Sequence, residues 1–127
     1  MHQFKKHYTL EEARALLPTL RELFTSIHKS KAAMAEADGV LEKEMDRTGG
    51  DFGGKHVTRA IETMAALRDG MGQITKLGIQ VKDLDRGLVD FPAIRDGREV
   101  FLCWELEEDD IEFWHDIEAG YPGRERL

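Results

Sequence analysis

Residues 87–106 read GLVDFPAIRDGREVFLCWEL, and this stretch decides the fold. Its second half alternates. Val100, Leu102, Trp104 and Leu106 fall on one side of an extended chain, and Phe101, Cys103 and Glu105 on the other. Upstream, Asp96-Gly97 is a strong hairpin turn, because aspartate tolerates and glycine favours the left-handed backbone that a two-residue turn requires. Before it, Leu88 to Phe91 reads as a short strand closed by Pro92, which lacks the N–H that an interior strand donates. Ile79-Gln80-Val81-Lys82 alternates as another strand, with Asp83 to Gly87 as the turn between them. The expectation is a small three-stranded antiparallel β meander.

Outward from the meander the pattern becomes helical. Thr9-Leu10-Glu11-Glu12 is a capping box, with Tyr8 at the start of a hydrophobic staple and Ala13, Leu16, Leu17 and Leu20 forming a stripe. Pro18 interrupts that stripe, so the helix must kink there or restart with Pro18 in its first turn. Beyond it, Leu20, Ile27, Met34 and Leu41 share a seven-residue row, beside a mixed row of Phe24, Lys31, Asp38 and Met45. Lys31 then lays its stem along the border of the apolar stripe. The glycine-rich run from Thr48 to Gly54, with Phe52 as a candidate anchor, reads as a turn. It is no phosphate loop, because Lys55 is followed by His56 and not by Ser or Thr.

From about His56 to Leu77, Val57, Ala60, Met64, Leu67, Met71 and Ile74 recur at intervals of three and four. This predicts a second helix, antiparallel to the first. The expected class is therefore α+β: a long, coiled-coil-like antiparallel helical hairpin, its first helix kinked or broken at Pro18, the β meander, and a short C-terminal helix. That last helix is capped by Asp109 or Asp110, runs through Ile117 and stops at Gly120, with an irregular tail after it. One domain spans 1–127, with a hairpin sub-module at 8–77 and an acidic β sub-module at 78–127. The segment before Pro18 folds back onto the C-terminal part. The exposed apolar surface of a two-helix hairpin points to a homodimer.

Composition narrows the function. With 127 residues and 41% hydrophobic content the chain can fold around a core. No apolar run approaches the roughly 20 residues that span a bilayer, and no secretory signal follows the basic N-terminal residues. A single cysteine fits a reducing, cytoplasmic setting. The net charge of −7 is concentrated late, and Glu105 to Glu118 holds eight acids and no Lys or Arg. Such a field repels nucleic acid and anionic lipid and favours cations or a basic protein partner.

Candidate chemistry gathers in the same region. Cys103 and His115 are borderline-soft ligands for a divalent transition metal, and Asp90, Glu105, Glu107, Glu108 or Glu112 would complete a set. Glu112 and His115 would share one face of the short helix. Against this stands the ordinary role of Cys103 as a small buried hydrophobe and of His115 as a partner to a carboxylate. A thiolate nucleophile at Cys103 is disfavoured by the surrounding acids. Asp83-x-Asp85-x-Gly87 lacks the spacing of a calcium loop. Trp104, Trp114, Tyr121 and Arg124 form either an aromatic ligand site or the core of the module.

The segments GLVDFP (87–92), FLCWEL (101–106), EFWH (112–115) and AGYPGR (119–124), preceded by YTLEEARALLPTL (8–20), resemble the bacterial family catalogued as domain of unknown function 2203. The resemblance runs from Tyr8 to the C-terminus and implies a bacterial, cytoplasmic protein. It supplies no activity and no catalytic residue. The sequence favours a non-enzymatic, oligomeric binding or scaffold protein whose acidic module recognises a partner or cation. The alternative is a metal-binding protein, or a metalloenzyme, built on His115, Cys103 and nearby carboxylates.

Overall fold

The computed structural model describes the backbone of residues 2–48 and 54–127 and the side chains of residues 2–36 and 57–127. Among the described residues three helices, α1 (Leu10–Ala15), α2 (Leu17–Thr48) and α3 (Gly54–Lys76), precede five strands. These are β1 (Gln80–Asp83), β2 (Leu88–Arg95), β3 (Arg98–Trp104), β4 (Phe113–Asp116) and β5 (Glu125–Arg126), with a 3-10 turn at Tyr121–Gly123. The class is α+β, and no helix among the described residues is long and apolar enough to cross a membrane. The chain forms two compact units, one of residues 1–22 with 73–127, the other of residues 23–72.

The first unit starts at the capping box. The Glu12 amide donates to Thr9 Oγ1 (3.1 Å) and the Thr9 amide donates to Glu12 Oε1 (2.9 Å). α1 ends at Ala15 and α2 begins at Leu17, which puts Pro18 in a first turn, where its missing N–H leaves no helical bond unmade.

The five strands pair as one antiparallel sheet in sequence order. Asp96 and Gly97 both have positive φ (52° and 80°), and the turn they make sets Arg95 opposite Arg98. Asp90 therefore pairs with Cys103 and Pro92 with Phe101. β2 does not stop at Pro92. β1 reaches only as far as Asp90, so beyond that point β2 is an edge. The Pro92 carbonyl accepts from the Tyr8 amide (2.7 Å), so the proline nitrogen, on the same side, faces away from β3 and no ladder bond is lost.

The expected C-terminal helix is absent. Residues 113–116 form β4, pairing Cys103 with Phe113 and Phe101 with His115. The segment is too short to repay helix nucleation, while Phe113 and Trp114 favour an extended pleat beside β3. Asp110 caps only its neighbour, accepting from the Ile111 amide (2.8 Å). The tail is not irregular either, since β5 adds a further strand. The meander thus has five strands where three were expected.

Alternation gives the sheet two faces. Val89, Phe91, Ala93, Val100, Leu102, Trp104 and Trp114 point to one and are buried. The segment around α1 covers this face. Tyr8 meets Phe91 edge-on (5.5 Å), Arg14 donates to Asp110 and the Ile111 carbonyl, and Arg21 lies over Trp104 (5.5 Å). Asp90, Pro92, Phe101, Cys103, Phe113 and His115 point the other way.

In the second unit, Phe24 and Ile27 are buried. A Cβ on Gly70 would stand 2.9 Å from the Ile27 side chain, so this glycine allows α2 and α3 to approach closely. Val57, Ile61 and Met64 are exposed. The turn at Phe52 and the side chains of Asp38, Leu41, Met45 and His56 lie outside the described residues.

Candidate metal centre

β2, β3 and β4 each place one ligand-type side chain at the same point of the second face. Asp90 on β2 sits opposite Cys103 on β3, and His115 on β4 lies one pair along. All three are buried, with exposures of 2%, 1% and 1%. One ligand atom from each lies within 4.8 Å of the other two.

The hydrogen bonds of His115 define its chemistry. Nδ1 is 2.7 Å from the Asp116 carbonyl, which can only accept, so Nδ1 carries a hydrogen. Nε2 is 3.0 Å from Asp90 Oδ1. In the neutral ring that nitrogen presents a lone pair to a carboxylate. A positive centre, either a proton or a cation, must therefore sit between them. Ring N–H donation to a backbone carbonyl is also how metal-ligating histidines are held in orientation.

Burial pushes the Cys103 thiol up to about 12, and the charge of Asp90 adds to the shift. Without a cation Cys103 is thus a protonated, poorly nucleophilic thiol. A metal held here would reverse that balance by stabilising the thiolate.

A cavity of about 150 Å³ opens beside the cluster, lined by Lys82, Leu88, Ile117, Gly120 and Tyr121 along with Asp90, Cys103 and His115. Arg124 lies on the same side, stacked over Phe113 (4.1 Å) and Tyr121 (4.6 Å). Its Nη2 donates to both oxygens of Glu108 (2.7 Å each), while its Nε is buried without a partner among the described residues.

Of the metal candidates read from the sequence, Asp90, Cys103 and His115 meet, while Glu105, Glu107, Glu108 and Glu112 do not join them. Glu112 and His115 are neighbours on no helix face. An odd separation along an extended chain sends them to opposite sides, and Glu112 pairs instead with Arg126 (3.6 Å). The candidate ligand residues divide as well. Trp104 and Trp114 belong to the face under α1, and Trp104 Nε1 donates to the Glu108 carbonyl (2.9 Å). Only Tyr121 and Arg124 lie on the cluster's side.

Sequence reasoning missed Lys82 and Glu99. Lys82 borders the cavity, and its ammonium lies over Phe101 (5.2 Å) and bonds Gln80 Oε1 (2.7 Å). A second group of donors, His2, His7 and Glu99, converges nearby. Extending the Phe101, Cys103 alternation back by one step would have found Glu99.

Fold and site together define a small α+β protein with a buried Asp–Cys–His cluster on an antiparallel sheet. The chain belongs to the family described as uncharacterized conserved protein (DUF2203), whose model matches residues 6–127. Neither a curated protein nor a solved structure matches it.

Proposed function

We propose that the protein binds one divalent transition ion of the zinc class through Asp90, Cys103 and His115. The observation that carries this reading is the convergence of three different buried ligand types, one from each of three strands, within 4.8 Å. A tetrahedral ion with bonds of about 2.0–2.3 Å holds its donors roughly 3.5 Å apart, so small side-chain adjustments suffice. One carboxylate oxygen, one thiolate and one imidazole nitrogen make a set that selects zinc-like ions over magnesium or calcium. Three protein ligands leave a fourth position, and the adjoining cavity gives it room for water or a small ligand. Open sites of this kind are the ones that do metal-assisted chemistry. A reducing compartment keeps Cys103 available, so we place the protein in the cytoplasm.

Recognition of a basic partner by the acidic run is the weaker reading. Five of the eight acids between Glu105 and Glu118 are already paired with arginines of the same chain: Glu105 with Arg86, Glu108 with Arg124, Asp110 with Arg14, Glu112 with Arg126 and Asp116 with Arg98. The homodimer has separate support. Val57, Ile61 and Met64 stay exposed at helical spacing on α3, and a second copy, related by a two-fold axis, would offer each of them its own counterpart. The helices then pair as an antiparallel hairpin within each copy. Light scattering at micromolar concentration tests this, and a monomer rejects it.

The metal reading is tested by zinc titration followed by dialysis and elemental analysis. Retention of a tightly held equivalent by the parent chain, and its loss in Cys103→Ala and His115→Ala, supports the proposal. Equal zinc in the parent and both variants overturns it.

A further inference from the structure

The buried cluster has a neighbour along the same strand face. Glu99, Phe101 and Cys103 alternate on β3, so all three side chains leave the sheet on one side. The N-terminal segment crosses this face. The Gln3 and Phe4 amides both donate to the Glu99 carboxylate, the latter at 2.8 Å, and the Phe4 ring meets Phe101 at 5.3 Å. The crossing brings the His2 and His7 rings to 5.1 Å, nearly perpendicular, and puts His7 Nε2 2.7 Å from Glu99 Oε2. One nitrogen from each histidine and one Glu99 oxygen lie within 4.8 Å of one another.

We infer that His2, His7 and Glu99 form a second cation site, open to solvent, for a divalent transition ion of the zinc or copper class. Two imidazoles and a carboxylate suit such ions far better than magnesium or calcium, which prefer all-oxygen sets. Glu99 is held in place by two backbone amides, the kind of outer support that orients ligating carboxylates. Its four lone-pair directions leave room for a metal after those two bonds are made. His2 is exposed, whereas His7 and Glu99 are half-buried, so water completes the coordination. A metal here ties the N-terminal segment to β3 beside Phe101, whose ring lies 5.5 Å from that of His115. The site shares no ligand with the buried cluster and stands or falls independently of it.

Cobalt(II) titration of the full chain separates the two, because only the Cys103 site can give a sulfur-to-cobalt charge-transfer band. The parent chain is expected to bind two equivalents, one with that band. His2→Ala, which leaves the His7, Gln3 and Phe4 bonds to Glu99 in place, should weaken the band-free equivalent at least tenfold. The His2→Ala/His7→Ala double variant should abolish that equivalent and leave the band intact. Cys103→Ala should do the reverse. A parent whose only equivalent carries the band, or a band-free equivalent indifferent to His2→Ala, overturns this inference. A parent with no band, but with an equivalent that is lost in the double variant, overturns the buried site and supports this one.

Discussion

The two faces of one sheet behave differently although they are drawn from the same strands. Beneath α1 the side chains are Val89, Phe91, Val100, Leu102, Trp104 and Trp114, and that face is core. One residue over, at each step, stand Asp90, Phe101, Cys103 and His115, equally buried yet carrying a carboxylate, a thiol and an imidazole. Burying polar groups lowers stability unless each finds a partner, and apolar residues of similar size would do the structural work at least as well. The first face explains why the chain folds. The second buries polar groups that partner one another, His115 with Asp90 and with the Asp116 carbonyl, and the metal proposal gives a reason for their presence.

The comparison is broken most forcefully at Phe91, which is fully buried against Tyr8. Phe91→Ala should lower the free energy of unfolding by about 3–5 kcal/mol in urea, while any metal still bound to the folded fraction keeps its stoichiometry. A change in stoichiometry would mean the faces are not separable.

On the other face, replacing Asp90 and His115 together by leucine should abolish zinc binding at the buried cluster and leave the His2, His7 and Glu99 group unaffected. It should leave the metal-free protein as stable as the parent or more stable, by on the order of 1 kcal/mol. A large loss of stability in that double variant would assign the pair a structural role and weaken the contrast.

The smallest effect lies at the exposed α1 cap. Thr9→Ala should lower stability by about 1 kcal/mol. Glu12 is held below its ordinary carboxylate value, first by the Thr9 amide and then by the charge of Lys6. Its contribution is therefore complete above the unfolded carboxylate value and fades as pH falls through the lowered one. Glu12→Gln should flatten that acid limb slightly in pH-dependent thermal melts, leaving metal content unchanged.

Much of this was legible in residues 87–106. The Asp96-Gly97 turn sets the register once it is taken as two residues long, because Arg95 then faces Arg98 and counting outward puts Asp90 against Cys103. The strand periods and the capping box at Thr9 were equally plain. What obscured the site was the reading of residues 109–117 as a helix. Aspartates at 109 and 110 look like caps, and Glu112 with His115 looks like one helical face. Only pairing with β3, a contact between distant parts of the chain, shows that His115 joins Cys103 and that Glu112 does not. The meeting of His2 and His7 with Glu99 was hidden for a similar reason. Glu99 accepts from the amides of Gln3 and Phe4, and no local pattern announces a bond across more than ninety residues. Partial burial raises the Glu99 carboxyl, but hydrogen bonds from His7, Gln3 and Phe4 and the charge of His2 more than offset this and hold it at about 2.

X-ray absorption at the zinc edge tests the central claim most directly. The His2→Ala/His7→Ala variant, loaded with one equivalent of zinc, isolates the buried cluster. The account predicts a four-coordinate shell with one sulfur at about 2.3 Å and nitrogen or oxygen neighbours at about 2.0–2.2 Å. A shell with no sulfur, made of oxygen and nitrogen alone, would contradict it.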